Sequence, residues 1–290
     1  MSEPTLYLVA TPIGNLSDLS PRAREVLSSV DFIAAEDTRV TQKLLTACAL
    51  PKKPLISYYE HNRRARGEEV LAKLLAGESC ALVTDAGTPA VSDPGEDLVA
   101  LCAARDVPVI PIPGCCAAVC ALAASGLPTG RWCFEGFLSV NKKARREHLD
   151  ALAGEKRTMI FYEAPHKLCA TLRDLAETFG GERRISLSRE LTKLHEETLR
   201  FTLSEAVQYF DQTPPRGEFV LIVEGAPETP DTPEDADARL QAAADEVRRR
   251  IAQGETQKDA VKAVSAEAGV KKNALYRLVL AQEEQDNADS

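Results

Sequence analysis

From Leu6 to about Ala121 the sequence alternates short apolar runs with segments of helical period, and no other feature restricts the fold as strongly. The apolar runs are Leu6–Ala10, Phe32–Ala35, Pro54–Ser57, Cys80–Thr84 and Val107–Ile112, each of a length suited to one buried strand. Between them, Ser20–Ser29, Thr38–Cys48, Ala65–Ala76, Glu96–Ala104 and Cys115–Ser125 read as helices. Such alternation predicts a mostly parallel sheet with helices on both faces. Ligands on sheets of this kind bind beyond the carboxyl ends of the strands.

Three of those strand ends run into loops of small residues. Val83–Gly95 (VTDAGTPAVSDPG) follows one strand, Thr11–Leu19 follows the first, and Pro113-Gly114 leads into the small-residue segment Cys115-Cys116-Ala117-Ala118. Where side chains are this short, a ligand can reach backbone N–H and C=O groups directly. Asp93-Pro94-Gly95-Glu96 reads as a capping acid, a proline at the first helical position and a glutamate in the first turn. None of the loops matches G-x-G-x-x-G or the lysine-bearing phosphate loop, which counts against a dinucleotide or a nucleoside triphosphate. A slot with uncharged walls suits an adenosine-type cofactor without a triphosphate.

A second block, Trp132 to Gly225, has strand-like runs at Trp132–Phe137, Arg157–Tyr162, Arg184–Arg189, Thr198–Thr202 and Glu218–Val223. Fewer helices separate them, Pro165–Phe179 among them, so some antiparallel pairing is expected. The expected organisation is an N-terminal α/β domain over 1–125, a second α/β domain over 126–225, an acidic proline-rich linker over 226–237 and a helical module over 238–290. Within the module, Lys258–Val270 and Asn273–Val279 resemble a helix-turn-helix, with Gly269 at the turn and Val264, Ala268, Val270, Leu275 and Leu278 inward. A plain helical hairpin fits nearly as well.

Charge narrows the partners. The 290 residues carry a net −9, so whole-surface affinity for nucleic acid is excluded and any such contact must use local patches. Candidate patches are Arg63, Arg64 and Arg66; Lys142, Lys143, Arg145 and Arg146; and Arg248–Arg250 with Lys271, Lys272 and Arg277. The eight Cys form no Cys-x-x-Cys pair and the chain has four His, so reduced structural thiols and no metal are expected. No apolar stretch approaches the roughly 20 residues that cross a bilayer, and the N-terminus lacks the basic start of a signal peptide. A cytoplasmic location without membrane contact is the expectation.

The runs LVATPIGNL (8–16), AAEDTR (34–39), DAGTP (85–89), PIPG (111–114), FEGFL (134–138), FYEAPH (161–166) and RELTKLHEE (189–197), taken together in this order, resemble the ribosomal RNA small-subunit methyltransferase I family, within the tetrapyrrole-methylase-like superfamily. The resemblance covers about residues 5 to 225. It implies two α/β domains with a cofactor cleft between them plus a small C-terminal helical module. It also implies a homodimer that uses S-adenosylmethionine to methylate the ribose 2′-oxygen of a cytidine in 16S ribosomal RNA within the small ribosomal subunit. By the same likeness the cofactor would be lined by Pro12, Gly14, Asp85, Ala86, Gly87, Thr88, Val91, Ser92, Pro113, Gly114, Cys115 and Cys116. Tyr162, Glu163, Leu191 and Gly217 would be contributed by the second domain. The chain departs from the pattern at Tyr59, where a histidine is expected, and at Cys115-Cys116, where Pro-Ser is expected.

Methyl transfer from a sulfonium is an in-line displacement, so alignment supplies much of the rate. A ribose hydroxyl is a weak nucleophile, and some group must take its proton or support the developing alkoxide. The candidates are Glu36, Asp37, Arg39, His61, Glu190 and Lys193, with Glu196 a further carboxylate. Asp37 with Arg39, and Glu190 between Arg189 and Lys193, could equally be structural ion pairs. Of the other histidines, His148 reads as surface and His166 as a polar contact at a helix start; His195 is open. Two other readings stand beside this one: a tetrapyrrole or protein substrate on the same fold, and a non-catalytic ribosome-associated RNA-binding protein.

Overall fold

The computed structural model describes residues 4–227 and 233–288; of the acidic linker expected over 226–237, residues 228–232 lie outside the described residues, and 233–237 are not linker as expected but the start of a helix. Residues up to Ala226 form one compact unit holding both sheets, and the residues from Pro227 onward form another.

The first sheet consists of β1 (Leu6–Val9), β2 (Phe32–Ala35), β3 (Leu55–Ser57), β4 (Cys80–Val83) and β5 (Val109–Ile112). All its pairings are parallel, in the order β3-β2-β4-β1-β5, so the ends of β4, β1 and β5 are neighbours at one edge. The intervening helices are α1 (Pro21–Ser29), α2 (Thr38–Ala47), α3 (Arg63–Leu75), α4 (Glu96–Ala103) and α5 (Ala117–Ser125). Helix α1 starts where expected because the Ser20 hydroxyl accepts from the Ala23 amide at 3.1 Å and Pro21 occupies the first turn. One face of the sheet is sealed by Leu27, Ile33, Leu45 and Val83, the other by Phe32, Leu71, Leu82 and Leu98. Each fully buried Leu or Phe contributes about 1.5–3 kcal/mol against about 1 kcal/mol for a cap. The two apolar layers, rather than the helix ends, therefore hold the sheet together.

The second sheet comprises β6 (Trp132–Phe137), β7 (Thr158–Glu163), β8 (Arg184–Arg189), β9 (Glu197–Thr202) and β10 (Phe219–Val223), ordered β6-β7-β10-β8-β9. Only β6 and β7 run parallel. The register of β6 shifts between Phe134 and Gly136, where Gly136 takes φ +63°, and the irregularity leaves Phe137 60 % exposed. Helices α6 (Lys142–Leu152), α7 (Pro165–Phe179) and α8 (Leu203–Gln212) complete this half, more helix than the sequence pattern alone suggested. Leu168, Leu172, Leu187, Leu203 and Phe210 fill one side of the sheet. The other side receives α5: Ala118, Ala121 and Leu122 pack on Ile160, Val220 and Ile222. Helix α5, which leaves the first sheet at β5, is thus the joint between the halves. Arg200 on β9 reinforces it by donating at 3.0 Å to the Ser125 carbonyl at its C-terminal end.

In the second unit α9 (Pro233–Ala252), α10 (Gln257–Glu267) and α11 (Lys272–Ala288) share a core of Ala244, Val247, Val261, Val264, Leu275 and Val279. Gly269, at φ +65°, makes the turn between α10 and α11. Ala268, Val270 and Leu278 pack at the edge of that core. Among the described residues, no helix is long and apolar enough to cross a membrane.

Candidate functional site

A cavity of about 440 Å³ opens where the loops after β1, β4 and β5 meet the second sheet. Ile13 comes from the first loop, Ala86, Gly87, Thr88, Val91, Ser92 and Asp93 from the second, and Cys116 and Ala117 from the entry to α5. The second sheet supplies Phe137, Tyr162 to Pro165, and Glu218 to Val220. The three loops are locked to each other. Thr11 and Gly87 exchange backbone hydrogen bonds at 2.9 and 3.0 Å, and the Thr88 hydroxyl donates to the Cys115 carbonyl at 2.8 Å. Gly114 lies against Ala10 so closely that a Cβ would come within 2.8 Å of the alanine methyl. Bulk at that position would push the loop off the end of β1.

The β4 loop carries backbone strain. Ala90 and Ser92 take φ +63° and +69°, and Gly95 takes +152° with no space for a side chain beside Ala90 and Leu82. Non-glycine residues held at positive φ cost on the order of 1–3 kcal/mol and persist where surrounding structure enforces them. The expected capping role of Asp93 is overturned here. Helix α4 begins at Glu96 after Gly95, with no side-chain cap, because the chain at Gly95 departs from helical geometry. Asp93 is instead turned to the cavity wall.

Its environment is acidic. Burial first, and then the charges of Glu36 and Asp85, push the Asp93 carboxyl up to about 6. Burial likewise raises Glu36 and Asp85, whose carboxylates accept from the Asp85 amide at 3.3 Å and the Asp37 amide at 3.2 Å respectively. Asp37 goes the other way. The Arg39 guanidinium, 2.6 Å away, draws it down to about 2. Apolar walls with carboxylates at one side favour a small cationic ligand over a polyphosphate.

Of the residues that the family resemblance assigned to a cofactor, Ala86, Gly87, Thr88, Val91, Ser92, Cys116, Tyr162 and Glu163 line the cavity. Asp85, Pro113, Gly114 and Cys115 are not part of that lining, and Leu191 packs with Cys116 and Tyr162 in the layer under α5. Pro12, Gly14 and Gly217 do not line it either. Gly14 and Gly217 give room to a strap, residues 190–193, in which Glu190 and Thr192 take φ +51° and +67°. A side chain on Gly14 would collide with Lys193 and Thr192, and one on Gly217 with Glu190. Lys193 reaches 3.0 Å to both Glu190 and Glu218, so the strap is pinned to a residue that does line the cavity. Asp93, Phe137, Ala164, Pro165 and Val220 are lining residues that sequence reasoning missed.

None of the six proposed catalytic residues lies on the cavity surface. Glu36 acts on it through Asp93, and Lys193 with Glu190 through Glu218, whereas Asp37 and Arg39 satisfy each other. His61 lies in a separate depression with Glu60, Asn62, Arg63 and Arg64. His148 is not a surface residue as expected. It is half-buried, with Nε2 2.8 Å from Glu135. The basic runs are also more neutralised than their sequence implies. Arg63 pairs with Asp97, Arg145 with Asp174, Arg146 with Glu177, and Arg249 and Arg250 with Glu246.

A family model of tetrapyrrole (corrin/porphyrin) methylases matches residues 5–207. A ribosomal RNA small subunit methyltransferase I from Synechocystis sp. is 51 % identical over 276 residues, covering 95 % of this chain and 97 % of its own. Proteins of the same name from Halalkalibacterium halodurans and Bacillus subtilis are 47 % and 43 % identical, covering 94 % and 93 % of this chain and 94 % and 92 % of theirs. Among solved structures, uroporphyrin-III-C-methyltransferase from Thermus thermophilus superposes with a TM-score of 0.54 at 21 % identity, over 76 % of this chain and 94 % of its own. A cobalt precorrin-4 methyltransferase gives 0.55 at 16 %, over 76 % and 95 %. At those identities the superpositions speak for the fold, two α/β halves joined through α5. The sequence matches go further: the chain belongs to the ribosomal RNA small subunit methyltransferase I family, within the tetrapyrrole methylases.

Proposed function

We propose that this protein transfers a methyl group from S-adenosylmethionine to the ribose 2′-oxygen of a cytidine in 16S ribosomal RNA. The observation that carries the reading is the composition of the cavity: small-residue loops on three sides, the Asp93 carboxyl on its wall with the charges of Glu36 and Asp85 acting on it, and an apolar wall from the second sheet. S-adenosylmethionine bound there supplies an electrophilic methyl on a positively charged sulfur.

This chain's residues do the rest. Ile13, Val91 and Val220 exclude water from one side, and the ionised carboxylates balance the positive charge of the donor. The locked loops hold the donor in one orientation, which matters most for an in-line displacement. As the new O–C bond forms and the S–C bond breaks, the 2′-hydroxyl proton must leave. Asp37, drawn down to about 2, is a weak acceptor, and Lys193 holds Glu190 below the usual carboxylate range. Glu36, raised by burial, holds a proton more readily than either, but it reaches the cavity only through Asp93, so no member of the original set is placed to take the proton directly. The same reading makes the enzyme a cytoplasmic homodimer acting on the small ribosomal subunit, without a metal.

Titration calorimetry with S-adenosylmethionine tests the cofactor half of the proposal. Saturable binding to the wild type, weakened by bulk at Gly87, is expected. No heat of binding would leave the cavity without its ligand.

A further inference from the structure

A second cavity, of about 540 Å³, lies beside the first, between α6 and the start of α7. It is lined by Lys142, Arg145, Arg146, His166 and Lys167, with one acid, Asp174. Two backbone junctions join it to the cofactor cavity. Phe137 lines the first and the next residue, Leu138, lines the second; Pro165 lines the first and His166 the second. The two cavities therefore meet at the ends of β6 and β7, one on the α5 side of the sheet and the other on the side of α6 and α7.

The cations of this groove divide into two sets. Arg145 is scaffolding: it donates to Asp174 at 2.6 Å and to the Thr171 hydroxyl at 2.9 Å, and Thr171 in turn donates to Glu163 in the cofactor cavity wall. Arg146 is held by Asp150 at 3.0 Å and Glu177 at 2.8 Å. Lys142 and Lys167 have no ion pair or side-chain hydrogen bond among the described residues, and neither has His166 on the groove wall. The two unpaired lysines favour an anion in the groove, and the His166 ring adds a hydrogen-bonding group beside them. The exposed Phe137 ring, at the boundary of the two cavities and edge-on to Tyr162 at 5.5 Å, adds a face on which a base can stack.

We propose that this groove binds the RNA backbone next to the nucleotide being methylated, with Lys142, His166 and Lys167 contacting phosphate oxygens. The proposal rests on the catalytic reading above for its purpose, though not for its measurement. A phosphodiester chain suits the groove because it presents one negative charge per nucleotide and follows directly from any ribose held in the first cavity.

The test uses the full-length protein with Lys142→Glu and Lys167→Glu combined. Affinity for a protein-free 16S RNA fragment is measured by fluorescence anisotropy at several salt concentrations, alongside the calorimetric affinity for S-adenosylmethionine. The expected result is an RNA affinity lower by about tenfold or more and a salt dependence shallower by about two charges. Cofactor affinity should stay within about twofold, which also reports an intact fold. If cofactor affinity falls too, the milder Lys142→Ala/Lys167→Ala pair is measured in the same way. Equal RNA affinity and equal salt slope in wild type and variant overturn the proposal. A loss seen on intact small subunits but absent on protein-free RNA also overturns it, and assigns the groove to an acidic protein partner. A wild type that binds RNA through the groove and yet transfers no methyl group defeats the catalytic reading alone.

Discussion

The phenolic oxygen of Tyr162, on the second sheet, accepts a 3.2 Å hydrogen bond from the Ala118 amide in the first turn of α5. That single bond crosses from one half of the protein to the other at the edge of the cavity between the loops and the second sheet. It uses one of the amides that a helix start leaves unsatisfied. Burial pushes the Tyr162 hydroxyl up to about 12, so it stays protonated across the working pH range.

Tyr162→Phe keeps the ring and deletes the acceptor. The Ala118 amide then loses its partner in a half-buried place, at a cost of about 1 kcal/mol. Thermal unfolding should show that loss, and cofactor affinity should fall with it because α5 no longer holds its entry. Unchanged stability and affinity would mean that packing under α5 positions the helix without the bond.

Asp93 gives the site a pH signature. A carboxyl whose folded pKa, about 6, lies above its unfolded value of 3.8 binds its proton more tightly in the folded state. Its contribution to stability is full below 3.8 and is lost as the pH rises through about 6. With solvent screening the difference is about 1 kcal/mol. Asp93→Asn should therefore raise the melting temperature of the ligand-free protein at about pH 7.5 by roughly 2–4 °C, and leave it equal to wild type near pH 4. The same variant should bind the cationic cofactor about tenfold more weakly, because a counter-charge is gone. Scans across pH with identical curves for both proteins would remove Asp93 from the electrostatic account.

Gly114→Ala tests the locking of the loops. The added methyl would sit 2.8 Å from the Ala10 methyl, inside the contact distance that real side chains keep. Strain on the order of 1–3 kcal/mol is expected, with weakened cofactor binding as the β5 loop shifts. The helical core around Val247 and Leu275 belongs to the other compact unit, and its amide exchange should not change. Full cofactor affinity in the variant would show that the loop tolerates movement.

Removal of residues 227–290 tests the role of the helical unit. Lys258, Lys262, Lys271, Lys272 and Arg277 are exposed on it, whereas Arg249 and Arg250 are tied to Glu246. The truncated protein should keep its cofactor affinity and methylate small subunits more slowly, mainly through a higher KM. Unaltered kinetics would exclude the unit from substrate binding.

Much of this was legible before any coordinates. The strands of the first sheet announce themselves because each is a short apolar run between breakers, and all five pair in parallel as that pattern requires. Ala34 pairs with Leu82 across two intervening helices and a strand, and it is the repeated strand–helix alternation that makes this parallel pairing legible. The second sheet is different. Val220 meets Tyr162 on one side and Ser188 on the other, pairings across long separations that no local pattern encodes, and so Val220 and Glu218 were not recognised as cavity residues. Helix α8 did have a local signal, the capping box of Thr202 and Glu205, which was overlooked. Asp93 was misread because Asp-Pro-Gly-Glu fits a helix start in sequence, while the φ of +152° at Gly95 separates the acid from the helix. Ion pairs such as Arg145 to Asp174 lie outside the reach of charge counting for the same reason: the partner is distant in the chain.

The central claim is that the cavity delivers a methyl group to a ribose hydroxyl of ribosomal RNA. Wild-type protein incubated with methyl-labelled S-adenosylmethionine and small ribosomal subunits, followed by nuclease digestion and mass spectrometry of the nucleosides, tests it directly. The account predicts label in 2′-O-methylcytidine from one position of 16S RNA, and none when Gly87 carries bulk. Label on a base, on protein, or nowhere would contradict it.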